Sequence, residues 1–327
     1  MSLDFHIEQL QTLSKQNILV LGDIMLDQWM WGQVSRISPE APVPVVDVKR
    51  TTYTPGGAAN VACNLLSLGC RVQMSGLVGQ DETGVKLRSL LEKQGAGTEG
   101  LVVNSERRTT VKTRIIANSQ QVVRVDQEDR HTFTPEEAAP LLDWLKLNIQ
   151  SFDGIFLSDY DKGLFTCPSV IEFLKGLNAQ GIPLIAGPKP GNLNVFRGVH
   201  CLTLNAKEAA ASTGLPVEDD ATTEKAGAAL LDRSRADMVL ITRGEQGMTL
   251  FAKGSTSASE PAFATEVFDV SGAGDTVLTV VGLGLCSGLS PEVCIRLASH
   301  AAAVVVRKLG TATLTLDEIA DSLKNRA

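Results

Sequence analysis

With 327 residues, 43% of them hydrophobic, the chain can bury a large core, either as one sizeable α/β unit or as two ordinary ones. A net charge of −7 opposes capture of polyanions and argues against nucleic acid or an anionic membrane as partner, while a small anionic substrate stays possible wherever cations converge. No run approaches the roughly 18 apolar residues of a membrane span, because His300, Arg307 and Lys308 break the alanine and valine stretch around Ala301.

Residues 1–16 carry Asp4 and Glu8 among scattered apolar side chains, with neither the basic start nor the apolar centre of a secretion signal, so a cytoplasmic protein is expected. A β-branched run at 17–21 predicts the first buried strand, and further runs at 154–158, 183–186, 201–204 and 238–242 repeat it. Between them, apolar residues at helical spacing predict helices over 58–68, 84–93, 135–147, 169–178 and 223–232. This alternation is the pattern of a mainly parallel sheet flanked by helices. Two stretches break it: 42–48 and 109–126 alternate apolar and polar residues at period two, as strands exposed on one face do. They predict a small secondary sheet whose apolar face needs cover from the main domain, over a bound substrate, or from a second copy of the chain.

Six cysteines without a Cys-x-x-Cys pair read as reduced, buried thiols, and four scattered histidines form no metal-binding spacing. Asp23, Asp27 and Asn60, beside the glycine pair Gly56 and Gly57, supply the carboxylate and amide groups that hold a sugar, although strand-end capping would use the same aspartates. Arg107, Arg108, Lys112, Arg114 and Arg124 concentrate cations around the secondary sheet, with Lys112 and Arg114 on one strand face. They suit a sugar phosphate, or else form a solvated basic face; Lys189 is a further candidate. Asn205 and Glu208 follow a predicted strand, where they offer oxygen ligands to Mg²⁺ and also match a helix cap. Gly244 and Gly247 either shape a loop between strands or admit a nucleotide to the backbone.

Asp269-Val270-Ser271-Gly272-Ala273-Gly274-Asp275-Thr276 stands directly before the apolar run 277–285. A glycine-rich turn opening a helix presents free N–H groups and the positive end of the helix dipole to an anion; the competing reading is a tight turn with a capping aspartate. Asp275, placed among those donors and kept ionised by them, can accept a proton from an attacking hydroxyl, and phosphoryl transfer needs little more than such positioning. No Walker motif and no Gly-x-Gly-x-x-Gly after the first strand occurs, so neither a P-loop enzyme nor a standard dinucleotide dehydrogenase is supported.

As an ordered set these pieces resemble the ribokinase, or PfkB, family of sugar kinases across essentially the full length. Gly22-Asp23-Ile24-Met25-Leu26-Asp27 resembles the family's first-strand substrate motif, and Pro55-Gly56-Gly57-Ala58-Ala59-Asn60-Val61-Ala62 its first signature. Val78-Gly79-Gln80-Asp81-Glu82-Thr83-Gly84 follows at the expected place, and the turn from Asp269 to Asp275 completes the set as the second signature. The resemblance implies a single ribokinase-like α/β domain over 1–327, with a β-sheet lid built from about 28–50 and 107–126. It implies Asp275 as catalytic base on the Gly272, Ala273 and Gly274 turn, Asn205 and Glu208 linked to Mg²⁺ and phosphate, and Thr242, Arg243, Gly244 and Gly247 on the nucleotide side. ATP and Mg²⁺ follow as co-substrate and metal, a monovalent cation is left open, and a homodimer through the lid sheet is expected.

A narrower likeness lies in Ser35-Arg36-Ile37-Ser38-Pro39-Glu40-Ala41-Pro42-Val43-Pro44 and Ser158-Asp159-Tyr160-Asp161-Lys162-Gly163. Both resemble the heptose 7-phosphate 1-kinase subgroup of lipopolysaccharide core synthesis, which implies transfer from ATP to the anomeric hydroxyl of D-glycero-D-manno-heptose 7-phosphate. In that setting Arg108, Lys112, Arg114 and Lys189 are expected to hold the sugar and its remote phosphate. That kinase is often fused to an adenylyltransferase; with the last helical pattern near the end of this sequence, the stand-alone type is expected. Relatives resemble Asp-Pro-Lys-Gly where this chain has Gly187-Pro188-Lys189-Pro190, which puts a metal or substrate role for that loop in doubt. The competing functions are another kinase of the family, acting on fructose phosphate or a ribose-like sugar, and a sensor that binds without turnover.

Overall fold

The structure is a computed structural model that describes residues 3–118, 120–263 and 266–325. In chain order its elements begin with α1 (Leu3–Thr12), β1 (Asn17–Gly22), β2 (Ile24–Ile37), β3 (Pro44–Gly57), α2 (Ala58–Ser67), β4 (Arg71–Gly79), α3 (Glu82–Lys93) and β5 (Gly97–Asn104). There follow β6 (Thr110–Ala117), β7 (Gln120–Gln127), α4 (Pro135–Asn148), β8 (Gly154–Ser158), α5 (Pro168–Leu177), β9 (Leu184–Gly187), β10 (Cys201–Asn205), α6 (Ala206–Thr213) and α7 (Asp220–Ser234). The chain closes with β11 (Met238–Thr242), β12 (Met248–Ala252), β13 (Ala258–Glu260), α8 (Ala273–Cys286), α9 (Pro291–Val305) and α10 (Leu316–Lys324).

Among the described residues, nine strands form the main sheet in the order β13-β12-β11-β10-β9-β8-β1-β4-β5. The pairs from β11 through to β5 are parallel, and β12 and β13 add an antiparallel edge. Strand geometry sends alternate side chains to opposite faces, and both faces are buried. Ile18 and Val20 of β1 and Phe156 of β8 enter a core with α2, α8, α9 and α10. Leu19, Leu21, Ile155 and Leu157 enter a second core with α4, α5 and α7. This two-sided burial is why the strands read as short continuous apolar runs. The predicted α/β class and its five strands are found, with ends moved by a residue or two. None of the described helices is long and apolar enough to cross a membrane.

The second sheet has the order β3-β2-β6-β7. The alternating stretch 109–126 holds two strands, β6 and β7, with Asn118 in left-handed backbone after the first, and of 42–48 only 44–48 belongs to a strand, the outer part of the fourteen-residue β3. β2 leaves β1 across Asp23 and runs straight into this sheet, so the first substrate motif bridges the two sheets.

Candidate active site

Because β1, β8, β9, β10 and β11 are parallel, their carboxyl ends share one edge, the place where open α/β sheets present ligand-binding groups. Asp23 follows β1, Asp159 and Tyr160 follow β8, Lys189 follows β9, Asn205 ends β10 and Thr242 ends β11. Against this edge lies the start of α8, whose first turn holds Asp275 and whose cap, Gly272, stands at φ 81°, a conformation that costs a side-chain residue energy. Asp269 fixes the turn by accepting from Ser271 N at 2.9 Å and from Gly310 N at 2.9 Å. Burial alone would raise the Asp269 pKa, but these donors and the Arg114 charge hold it below the usual carboxylate value.

Asp275 does not lie among the backbone donors of its own turn. Asn60 Nδ2 donates to its Oδ2 at 2.7 Å and the Tyr160 hydroxyl to its Oδ1 at 2.7 Å. Burial, with the Asp27 charge added, raises its pKa in spite of those two bonds and the nearby Lys189 ammonium, so the expectation of a carboxylate kept strongly ionised by N–H donors is corrected. A raised pKa brings the group nearer to neutral pH, which suits a general base.

A polar cavity of about 210 Å³ opens over this turn, lined by Tyr160, Lys189, Asn205, Glu208, Gly274 and Asp275 among others. It adjoins an apolar cavity of about 240 Å³ walled by Phe263, Val267, Val270, Ala302 and Val306. Thr242, Gly274 and Val277 line both. Gly244 (φ 60°) and Gly247 (φ 84°) bend the β11–β12 loop along the apolar side. Arg243 turns away to Asp220, 2.7 Å from its Oδ1, and lines a separate surface cavity with Asp219 and Glu260.

A family model described as pfkB family carbohydrate kinase matches residues 15–318. The chain belongs to the pfkB family of carbohydrate kinases. It is 44% identical over 319 residues to the bifunctional protein HldE of Trichlorobacter lovleyi, covering 97% of this chain and 65% of that protein. It is 43% identical over 307 residues to bifunctional protein HldE of Geobacter sulfurreducens, covering 94% and 63% respectively. The chain thus spans less than two thirds of the length of these relatives. Among solved structures, ribokinase of Arabidopsis thaliana complexed with ribose and ATP superimposes with TM-score 0.76 at 20% identity, covering 95% of this chain and 99% of that one. Phosphofructokinase-2 of Escherichia coli in complex with potassium does so with TM-score 0.79 at 18% identity, covering 95% and 99%. These two likenesses establish the ribokinase-like fold with its accessory sheet.

Within this pfkB kinase, Asn205 and Glu208 form a full capping box on α6: Asn205 Oδ1 accepts from Glu208 N at 2.9 Å, and Glu208 Oε2 accepts from Asn205 N at 3.0 Å. Glu208 Oε1 also receives the Lys189 ammonium at 2.6 Å. Among the described residues no cluster of three His, Cys, Asp or Glu forms a metal cage. Glu208 thus presents a carboxylate to the polar cavity, an oxygen donor of the kind that Mg²⁺ takes together with nucleotide phosphates and water.

On the sugar side, Asp27 is buried on β2 and ion-paired with Arg114 Nη1 at 2.5 Å. A Cβ on Gly56 would stand 2.6 Å from Asp27 Oδ2, so the glycine admits that carboxylate. Gly57, at φ 60°, turns the chain into α2 and delivers Asn60 to Asp275. Asp23 faces inward: its Oδ2 accepts from Tyr160 N at 2.8 Å and Lys162 N at 3.1 Å, and burial with the Asp159 charge pushes its pKa up to about 6. Lys112 and Arg114 share the face that carries Asp27, but Lys112 pairs with Asp126 at 3.1 Å, and Arg108 pairs with Asp129 at 3.2 Å. Arg107 is not available to a ligand phosphate. It is buried, donates to the carbonyls of Asp129 (2.6 Å) and Lys162 (2.9 Å), and stacks over Phe133.

Two residues of the site carry no role on sequence grounds. Asp159 fastens the departing Gly187-Pro188-Lys189-Pro190 loop, accepting from Lys189 N at 2.8 Å and Asn192 Nδ2 at 3.0 Å. The other is Tyr160. The signal available for both was the Ser158-Asp159-Tyr160-Asp161-Lys162-Gly163 segment, polar residues directly after a buried strand.

Proposed function

We propose that this kinase transfers the γ-phosphoryl group of ATP to the anomeric hydroxyl of D-glycero-D-manno-heptose 7-phosphate, giving the 1,7-bisphosphate. The observation that carries the reading is the meeting of an apolar and a polar cavity at the first turn of α8, where Gly274 lines both and its neighbour Asp275 lines the polar one. The purine occupies the apolar cavity beside Gly244 and Gly247, and the triphosphate lies over the turn Gly272, Ala273 and Gly274, where the helix dipole favours anions. Asp275 accepts the proton of the sugar hydroxyl. The freed oxygen forms a bond to the γ-phosphorus, the bond from that phosphorus to the β,γ-bridging oxygen breaks, and its electron pair leaves with ADP. Lys189 contributes positive charge in the polar cavity, where its ammonium already faces Glu208. Mg²⁺, when bound with the nucleotide near Glu208 and Asn205, would neutralise phosphate charge.

The heptose assignment is supported by the likeness of the segments from Ser35 and from Ser158 to the heptose 7-phosphate 1-kinase subgroup, and by relatives bearing the HldE name. The accessory sheet acts as a lid, with Arg114, Lys112 and Arg108 on the side of the remote phosphate. Free thiols suit work in the reducing cytoplasm, and a second copy of the chain covers the outer face of the lid as a homodimer. The test is ³¹P NMR of products with ATP, Mg²⁺ and a sugar panel, alongside Asp275→Asn. A 1,7-bisphosphate from heptose 7-phosphate is expected, with kcat lowered about 10²- to 10⁴-fold in the variant. Faster turnover of fructose 6-phosphate or ribose would sink the substrate; a variant above a tenth of wild-type kcat would sink the base.

A further inference from the structure

The Asp275 carboxylate reaches the site with each oxygen already engaged: Oδ2 by Asn60 from α2, and Oδ1 by the hydroxyl of Tyr160 from the loop after β8. An ionised carboxylate has about four lone-pair positions, so two donors still leave room for a substrate hydroxyl while fixing the plane of the group. Tyr160 is itself held from three sides. Its N–H donates to the buried Asp23 carboxylate at 2.8 Å, its ring lies 5.2 Å beneath the Lys189 ammonium, and its loop is tied by Asp159, which accepts from Asp161 N at 2.8 Å. Packing would hold the ring without a hydroxyl, but the 2.7 Å bond runs from that hydroxyl to the reacting carboxylate, 115 residues away in the chain.

We infer that Tyr160 is a positioning residue of the transfer, whose hydroxyl aims Asp275 and sets the pH at which it ionises, and that Asp23 serves the reaction by holding Tyr160 rather than by binding sugar. The inference rests on Asp275 being the base. Burial raises the Asp275 pKa, and the Asn60 and Tyr160 hydrogen bonds counter that rise. Of the charged groups around Asp275, Lys189 also favours the ionised form and Asp27 opposes it, while the carboxylates of Asp159 and Glu208 line the same cavity. The Tyr160 phenol stays protonated, since its own pKa is raised by burial and by the Asp275 charge, so it remains a donor throughout the working range. Losing it removes a bond that favours the charged base. The folded pKa of Asp275 then climbs, and the acid limb of the kcat profile moves to higher pH.

The chain has two tyrosines, Tyr53 and Tyr160, which permits a test in both directions. In a Tyr53→Phe background, biosynthetic 3-fluorotyrosine labels Tyr160 alone and makes its hydroxyl a stronger donor, whereas Tyr160→Phe deletes it. For Tyr160→Phe the acid limb is expected to rise by about one pH unit, the plateau kcat above that limb to fall roughly tenfold through the lost aim of the carboxylate, and the KM for ATP to stay unchanged. For fluorotyrosine the limb moves the other way. A ¹³C titration of the Asp275 carboxyl, assigned by its loss in Asp275→Asn, reads the same shift without turnover. Acid limbs and carboxyl titrations that overlay the wild type in both proteins, while Asp275→Asn is inactive, overturn the inference and leave the base intact. An active Asp275→Asn removes both. If Tyr160→Phe fails to fold, as thermal melting would show, the fluorotyrosine protein decides alone.

Discussion

The nine-stranded and four-stranded sheets of this molecule solve the same backbone problem under opposite solvation. In the main sheet, Phe156, Ile155 and Leu157 on one short strand are all buried, and helices cover both faces. In the accessory sheet, Val123 and Val125 remain 45% and 47% exposed, and its site-side face is a ladder of charges and aromatics. Arg50 stacks over Trp31, Trp31 on Trp29 at 5.9 Å, Trp29 under Arg114, and Arg114 pairs with Asp27. The first sheet places groups by dense packing; the second places them by paired charges and stacked rings, from the buried Arg114–Asp27 pair to the more exposed Arg124–Asp126 pair. Asp275, the proposed base, and Tyr160, which we infer positions it, come from the packed part. Groups assigned to a sugar phosphate come from the solvated one.

The sharpest way to break this contrast is to remove one apolar side chain from each sheet. The Phe156 ring packs so closely on α8 that a Cβ on Gly282 would stand 2.6 Å from it, so Phe156→Ala leaves a cavity under the helix that carries Asp275. A loss of about 3–5 kcal/mol is expected for it in urea unfolding. Val123→Ala, at a half-exposed site, should cost less than about 1 kcal/mol. Comparable losses would mean that the accessory sheet is as much a core as the main one.

A middle-sized effect separates the lid cations from one another. Asp27 is buried against Arg114, so Arg114→Met strands a carboxylate next to the site, and kcat/KM should fall roughly 10- to 100-fold even for the sugar without its remote phosphate, and further for the phosphorylated one. Lys112 pairs with an Asp126 that Arg124 also serves at 2.9 Å, so Lys112→Met strands nothing. Its loss should be smaller, about tenfold at most, and confined to the phosphorylated sugar. Steady-state kinetics with heptose 7-phosphate and with heptose decide this. An equal response of Lys112→Met to both sugars would remove it from phosphate recognition.

The contrast also explains what the sequence disclosed. Strands buried on both faces read as apolar runs, and 154–158 and 238–242 were legible to the residue. β4 and β5 were not, because Gln73, Ser75, Gly76 and Glu99 interrupt their apolar character and a helix period fits the fragments as well. β2 was hidden for a different reason: its inner residue Asp27 is polar because it faces the site and Arg114, not water. The turn that opens α8 was visible as a local motif. Its environment was not, since Asn60 and Tyr160 lie 215 and 115 residues from Asp275, and no local pattern announces a hydrogen bond across that separation. Pairing likewise escaped the reading of the cations, where residue type alone could not show that Arg107 is spent on carbonyls.

The smallest expected effect on the folded protomer, and the one that tests the outer face, concerns Val125. Register places Val125 beside Thr113 and Gln28, and Val123 beside Ile115 and Met30, on the face opposite Asp27 and Arg114. Apolar side chains at this exposure are tolerated singly, but a run of them across neighbouring strands is the mark of a face that meets a partner. If that partner is a second copy of the chain, a lysine at Val125 brings two like charges into a self-complementary contact, where each faces the other's equivalent across the two-fold axis. The protomer itself should hardly notice: an exposed strand position tolerates such a change within about 0.5 kcal/mol. Val125→Lys is therefore expected to leave the urea midpoint of the monomer nearly unchanged while moving sedimentation at micromolar concentration from dimer toward monomer. A wild type that sediments as a monomer throughout would abolish the homodimer. A variant that sediments with the wild type as a dimer would show that the two copies meet on some other surface.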